Sequence, residues 1–199
     1  MPPLVAAEGA WLLRLARAAI AETFQGEGPL EAALASRPES ASLAAVRACF
    51  VTLEIRDREG RLGLRGCIGS TEPRRILPEA VALAARQAAF EDPRFAPLSA
   101  EELPAVVLSV SALTPLVPAS SPTGIVPGRD GVVLVAQGRQ AVFLPEVAER
   151  HGWDAPELLA QLARKAGLPR GAWQRARLFV FTSERFAEGP LGAGRIHGP

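Results

Sequence analysis

The run Leu64-Arg65-Gly66-Cys67-Ile68-Gly69-Ser70 brings a thiol and a guanidinium within three residues, on backbone opened by glycine. The thiolate is the reactive form of cysteine, and nearby cations or a helix N-terminus favour it. Arg65 precedes Cys67, Arg74 and Arg75 follow, and a helix is expected to begin near Pro73 or Ile76. Such a helix start would add backbone N–H groups for an anion or oxyanion. The functional reading is a thiol nucleophile, or a backbone cradle for phosphate or carboxylate with Arg65 as clamp. The plain reading is a small buried cysteine where sheet meets helix, with Gly66 and Gly69 present for tight packing. On the residues alone, both stay open.

A nucleophile needs a base, and the chain offers few. His197 lies close to the end, in a Gly- and Pro-rich stretch. His151 falls at an expected helix end before Gly152, where an imidazolium offsets the helix dipole. Glu91 and Asp92 are the nearer carboxylates, although Asp92-Pro93 is also an ordinary helix stop. Cys49 sits on an apolar strand face and reads as core. Two separated cysteines and two distant histidines make no metal site and no redox pair, and no cofactor motif is present.

Composition bounds the rest. The chain has 199 residues, 48% of them hydrophobic, with 22 basic and 21 acidic side chains, for a net charge of +1. That balance gives no bulk attraction to nucleic acid or to an anionic membrane. Lys165 is the only lysine, and asparagine and tyrosine are absent, which suggests a GC-rich, bacterial genome. Neither a signal peptide nor a membrane span is expected, so the protein reads as cytoplasmic with reduced cysteines. Arg164, Lys165, Arg170, Arg175 and Arg177 with Trp173 form a modest basic cluster, read as a solvated face before an RNA contact.

The elements that must position the motif follow from periodicity. Trp11 to Phe24 has helical spacing, with Arg14 and Arg17 facing out; Pro29 to Ser36 is a short helix. Ala45 to Ile55 alternates as a strand, turns over Asp57 to Gly60, and returns from Leu62 to Ile68. Glycine at positions 60, 63, 66 and 69 predicts a bulge or irregular backbone in the return strand. Ile76 to Phe90 is a helix, Ser99 to Glu102 a capping box, and Val106 to Leu113 a strand. A loop from Thr114 to Asp130 precedes a hairpin turning at Gln137-Gly138-Arg139. Helices over Pro145 to His151 and Ala155 to Ala166, a last strand over Arg177 to Thr182, and a loose tail from Ser183 complete the chain. The pattern is α+β with a largely antiparallel β-sheet flanked by helices.

Leu64 to Gly69 resembles the LRGCIG hallmark of the AMMECR domain family. Cys49-Phe50-Val51-Thr52-Leu53, Ala89 to Phe95 with Pro97-Leu98, Ser109-Val110-Ser111, Gly128-Arg129-Asp130-Gly131 and Phe143 to Ala148 follow in the family's order. The entry turn, Gly60-Arg61-Leu62-Gly63, is longer than in many relatives. The resemblance implies one domain over 1–186 in two unequal lobes, the larger from both chain ends and the smaller from the middle. A flexible tail over 187–199 follows, and the hallmark lies near the lobe junction, a usual ligand position. Carried onto this chain, it makes Cys67 the catalytic candidate, with Arg65, Gly66, Ile68, Gly69, Ser70, Asp92 and Arg94 lining a site for a small anionic ligand. Relatives in bacteria are encoded beside, or fused to, Memo-type and radical SAM proteins, which implies a shared pathway. The expectation is an enzyme or enzyme subunit; the alternatives are a non-catalytic partner of those proteins and an RNA- or translation-associated factor. Self-association stays open.

Overall fold

The computed structural model describes residues 2–57 and 59–189. They form two compact units, one running to Leu113 and resuming at Glu184, the other running from Thr114 to Ser183. The class is α+β, with one four-stranded sheet in each unit. Among the described residues, no helix is long and apolar enough to cross a membrane.

In the first unit, helix α1 (Ala6–Gln25) buries Leu12, Leu15, Ala16, Ala19 and Ile20 on one face. Gly9 on that helix leaves room for the ring of Phe186, which is fully buried. Arg17 does not face out as its helical position predicts. Its guanidinium pairs with Glu188 at 2.5 Å and donates to the carbonyls of Leu103 and Val106. Short helices α2 (Pro29–Ala35) and α3 (Ala41–Ala44) lead into strand β1 (Cys49–Arg56). Cys49, Val51 and Leu53 turn to the core, while Phe50, Thr52 and Glu54 share the other face.

The chain turns with Gly60 at φ +80°, a conformation glycine adopts without strain, and returns as β2 (Leu62–Ser70). Glu54 pairs with Leu64 but Leu53 pairs with Gly66, so Arg65 is the extra residue of a β-bulge. The expected irregularity in the glycine-spaced strand is this single bulge. Helix α4 (Leu77–Phe90) then crosses the sheet with its alanine-rich face, burying Val81, Ala84, Ala85, Ala88 and Ala89. Strand β3 (Val106–Leu113) follows, paired antiparallel to β1.

The second unit holds a short strand β4 (Val117–Pro118), the hairpin of β5 (Gly131–Ala136) and β6 (Arg139–Phe143), and β7 (Arg177–Phe181), ordered β4-β7-β5-β6. Positive φ at Gln137 and Gly138 makes the hairpin turn where predicted. Helices α5 (Pro145–His151) and α6 (Ala155–Lys165) cover it, with Leu158, Leu159 and Leu162 packed on Val132 and Leu134.

The loose tail expected from Ser183 is corrected by a further strand, β8 (Ser183–Ala187), at the edge of the first sheet in the order β2-β1-β3-β8. Phe186 and the Glu188–Arg17 pair hold it there, one apolar and one ionic anchor that a Gly- and Pro-rich composition hides. Residues 190–199, with His197 and most of the expected tail, lie outside the described residues.

Gly66 is where α4 meets β2: a Cβ there would overlap the Ala88 carbonyl oxygen, whereas at Gly63 the nearest atom would be Ile55 O at 3.7 Å. Gly66→Ala therefore destabilises the protein by about 2 kcal/mol or more in urea denaturation, through overpacking against backbone. Gly63→Ala stays within about 0.5 kcal/mol of the parent.

Candidate functional site

The site is built where the C-terminal end of α4 comes down on β2. Because Gly66 has no side chain, the last turn of α4 sits against the strand at Ala88. Asp92, one helical turn beyond, then reaches the strand: its Oδ2 accepts the Cys67 N–H at 2.9 Å. Asp92 is 4% exposed, and it also takes both prongs of Arg94, Nε on Oδ1 at 2.9 Å and Nη2 on Oδ2 at 2.6 Å. Arg94 Nη2 lies 3.3 Å from the Cys67 carbonyl oxygen as well. Both backbone groups of Cys67 are thus bound by side chains. Since β2 is the outer strand of its sheet, they would otherwise face an open edge.

The Cys67 side chain lies on the face of the sheet away from α4, opposite Thr52 on β1, which in turn pairs with Ser109 on β3. Thr52 Oγ1 donates to Cys67 Sγ at 3.2 Å. Cys67 is half-buried. Glu54 lies two residues along β1 on the same face, 4% exposed, with Arg185 at 4.0 Å. Around the bulge, Arg65 forms a two-pronged pair with Glu102, at 2.8 and 3.0 Å, and Glu102 also accepts the Ser99 N–H. The guanidinium carbons of Arg65 and Arg94 lie 5.9 and 5.4 Å from the centre of the Phe95 ring.

These contacts set the charges. The Arg94 hydrogen bonds hold Asp92 far below the usual carboxylate range, with the Cys67 amide adding to the effect. The hydrogen bond from Arg65 lowers Glu102, and the hydrogen bond to Glu102 raises Arg65. Arg94 is raised chiefly by its hydrogen bonds to Asp92. Burial pushes the Cys49 thiol up to about 12, as suits a core residue.

Of the residues singled out in the sequence, Arg65, Cys67, Asp92 and Arg94 come together here, and Gly66 makes their meeting sterically possible. Ile68 packs on the core. Gly69 lies beneath the Phe50 ring, where a Cβ would come within 2.6 Å, and Ser70 bonds with Glu72 in its own turn. Three expectations change. The cation beside Cys67 is Arg94 rather than Arg74 or Arg75, and it is the C-terminal end of α4, not its start, that reaches the Cys67 backbone. Asp92 is a weak base, because Arg94 and the Cys67 amide engage its oxygens and lower its affinity for a proton. Arg65 is no open anion clamp, because Glu102 occupies it. Thr52, Glu54, Phe95 and Glu102 were not read as site residues. The capping-box spacing did mark Glu102, and its bond to Ser99 N is that box half made.

Elsewhere, His151 stacks on Trp153 at the end of α5, and Gly152 closes the helix with φ +63°. Within the basic cluster, Arg170 pairs with Glu157, and Lys165 donates to Val142 O while lying over Phe143. Among the described residues, no three His, Cys, Asp or Glu side chains gather as a metal site.

The sequence model of the AMMECR1 family matches residues 13–186. A protein of Thermococcus onnurineus is 39% identical over 187 residues, covering 90% of each chain. Another, of Thermofilum pendens, is 40% identical over 192 residues, covering 91% of this chain and 89% of its own. The crystal structure of protein PH0010 from Pyrococcus horikoshii superposes with a TM-score of 0.81 at 34% identity, covering 94% of both chains. All three sources are archaeal.

Asp92→Asn keeps an acceptor but removes the charge. With its native value depressed, the Asp92 carboxylate contributes stability fully above its ordinary 3.8 and loses that contribution as pH falls below it. Urea denaturation is expected to show Asp92→Asn less stable by about 1–3 kcal/mol at neutral pH, with the gap closing as the solution is acidified. A gap independent of pH would overturn the role given to this carboxylate.

Proposed function

The chain belongs to the AMMECR1 family, and from that membership we propose that it is an enzyme, or the subunit of one, whose Cys67 thiol acts on a small anionic substrate. One observation carries the reading: a half-buried thiol accepts a hydroxyl hydrogen bond from Thr52 while its own backbone is pinned by buried Asp92 at the amide and by Arg94 at the carbonyl. A hydrogen bond donated to sulfur favours the thiolate, and a fixed backbone holds that sulfur in one place. Cys67 is the nucleophile in this scheme and Thr52 its orienting donor. Arg94 is paired with Asp92 as Arg65 is with Glu102, but its side chain is 52% exposed against 14% for Arg65, and it is the guanidinium an anionic substrate meets. Glu54 is the carboxylate that shares the face with thiol and hydroxyl.

A second reading makes the protein a docking partner of Memo-type and radical SAM proteins. What favours it is the outer strand β2, where Leu62 and Leu64 are 39% and 40% exposed. Large apolar side chains on an unpaired strand edge are a usual partner surface. Under this reading, Leu64→Glu abolishes co-purification with such proteins and leaves Cys67 chemistry intact.

Iodoacetamide distinguishes the two readings. Buried and protonated, Cys49 is silent, so folded protein is alkylated at Cys67 alone. Thr52→Val is expected to slow that alkylation about threefold to tenfold at neutral pH, the worth of one hydrogen bond. A Cys67 that reacts only after unfolding would overturn the enzyme reading and leave the docking reading in front.

A further inference from the structure

The far end of β2 carries a feature that the Cys67 chemistry does not use. Where β1 begins and α4 passes over the end of β2, a concavity of about 120 Å³ opens. Its wall is apolar, formed by Cys49, Ala80, Ala84 and the 42% exposed Leu83. Its rim is cationic, and the three arginines there are not equally neutralised. Arg74 is paired with Glu72 at 2.5 Å. Arg47, its side chain 1% exposed, is bound by Glu184 and by the carbonyls of Ala112 and Leu113, with its Nη1 left without a hydrogen-bond partner. Arg75 is exposed and has no carboxylate partner among the described residues. With Glu72 and Glu184 each matched to one arginine, one positive charge remains over.

The backbone adds a donor. The Cys67 amide points away from β1, since Asp92 binds it, and alternation along an antiparallel strand turns the Gly69 amide the same way. Gly69 lines the concavity. An unmatched guanidinium and an outward amide, beside an aliphatic wall, suit a ligand with one negative end and an apolar body. Volume limits that body: a cavity of about 150 Å³ lined by aliphatic side chains holds benzene, so this one takes about four to six carbons.

We propose that this concavity is a binding site for a small monocarboxylic acid, with its carboxylate on Arg75 and the Gly69 amide and its apolar body against Ala80, Leu83 and Ala84. The site is separate from Cys67, which is not among its lining residues. A carboxylate there gains charge-assisted hydrogen bonds, while the body covers Leu83, whose exposure is otherwise unfavourable.

Benzoate is the probe, titrated into the full-length protein and followed by backbone amide chemical shifts. Saturable shifts are expected at Gly69, Ser70, Arg75 and Leu83, with benzyl alcohol, the uncharged counterpart, binding at least about tenfold more weakly. Arg75→Ala and Leu83→Ser are both exposed positions that leave the fold intact, and each is expected to weaken benzoate about tenfold. Equal binding of benzoate and benzyl alcohol, unchanged affinity in Arg75→Ala, or shifts confined to other residues would each overturn the proposal. The readout does not involve the thiol, so its failure leaves the Cys67 reading untouched, and a silent Cys67 leaves this one untouched.

Discussion

The contact between the Ala88 carbonyl and the bare α-carbon of Gly66 sets the geometry of everything around Cys67. A helix can approach a strand this closely only where both surfaces are small, and α4 supplies Ala84, Ala85, Ala88 and Ala89 on the side that faces the sheet. Once that separation is fixed, the position of the next residues is no longer free. The helix stops at Phe90, ahead of Asp92-Pro93, and the second side chain past its end is delivered to the strand one residue beyond the glycine. Packing in the core thereby decides where a carboxylate stands at the edge of the sheet.

The charges around the motif are arranged in closed pairs. Arg65 with Glu102 and Arg94 with Asp92 form two-pronged contacts near Phe95, and each pair is neutral as a unit. Two-pronged guanidinium–carboxylate contacts fix direction as well as distance. The result is a rigid frame in which Cys67 is half-buried and the Arg94 and Glu102 side chains are partly open to solvent. A frame of this kind orients a side chain without supplying a general positive field.

Much of the architecture was legible in the sequence, and the exceptions have physical causes. Alternation, helical spacing and turn residues placed most helices and strands to within a few positions, and recurrent glycine announced the irregular strand. Its register, however, depends on the bulge. Counted straight from the turn, Thr52 would stand opposite Gly66; the extra residue at Arg65 shifts it to Cys67, and no local pattern tells where a bulge will fall. Glu102 was visible as a capping residue but not as the partner of Arg65, because the two lie 37 residues apart and meet only in the fold. Strand β8 was missed because its pairing, to β3 on one side and α1 beneath, comes entirely from distant residues. The resemblance located the motif, while hydrogen bonds determined which of its residues face outward and which serve packing.

Strand β8 also constrains the order in which the chain can acquire its structure during synthesis. The second unit is continuous, and its sheet has all its strands once Phe181 has been made. The first unit begins much earlier, yet its sheet lacks an edge, and Arg17 lacks its carboxylate, until residues 183 to 188 emerge. Until they do, β3 is uncapped and the Phe186 site beside Gly9 is unfilled, however early the rest of the first unit is made. The return of that five-residue strand brings Glu188 to Leu108 across 80 positions of chain, a closure slow compared with that of a local hairpin.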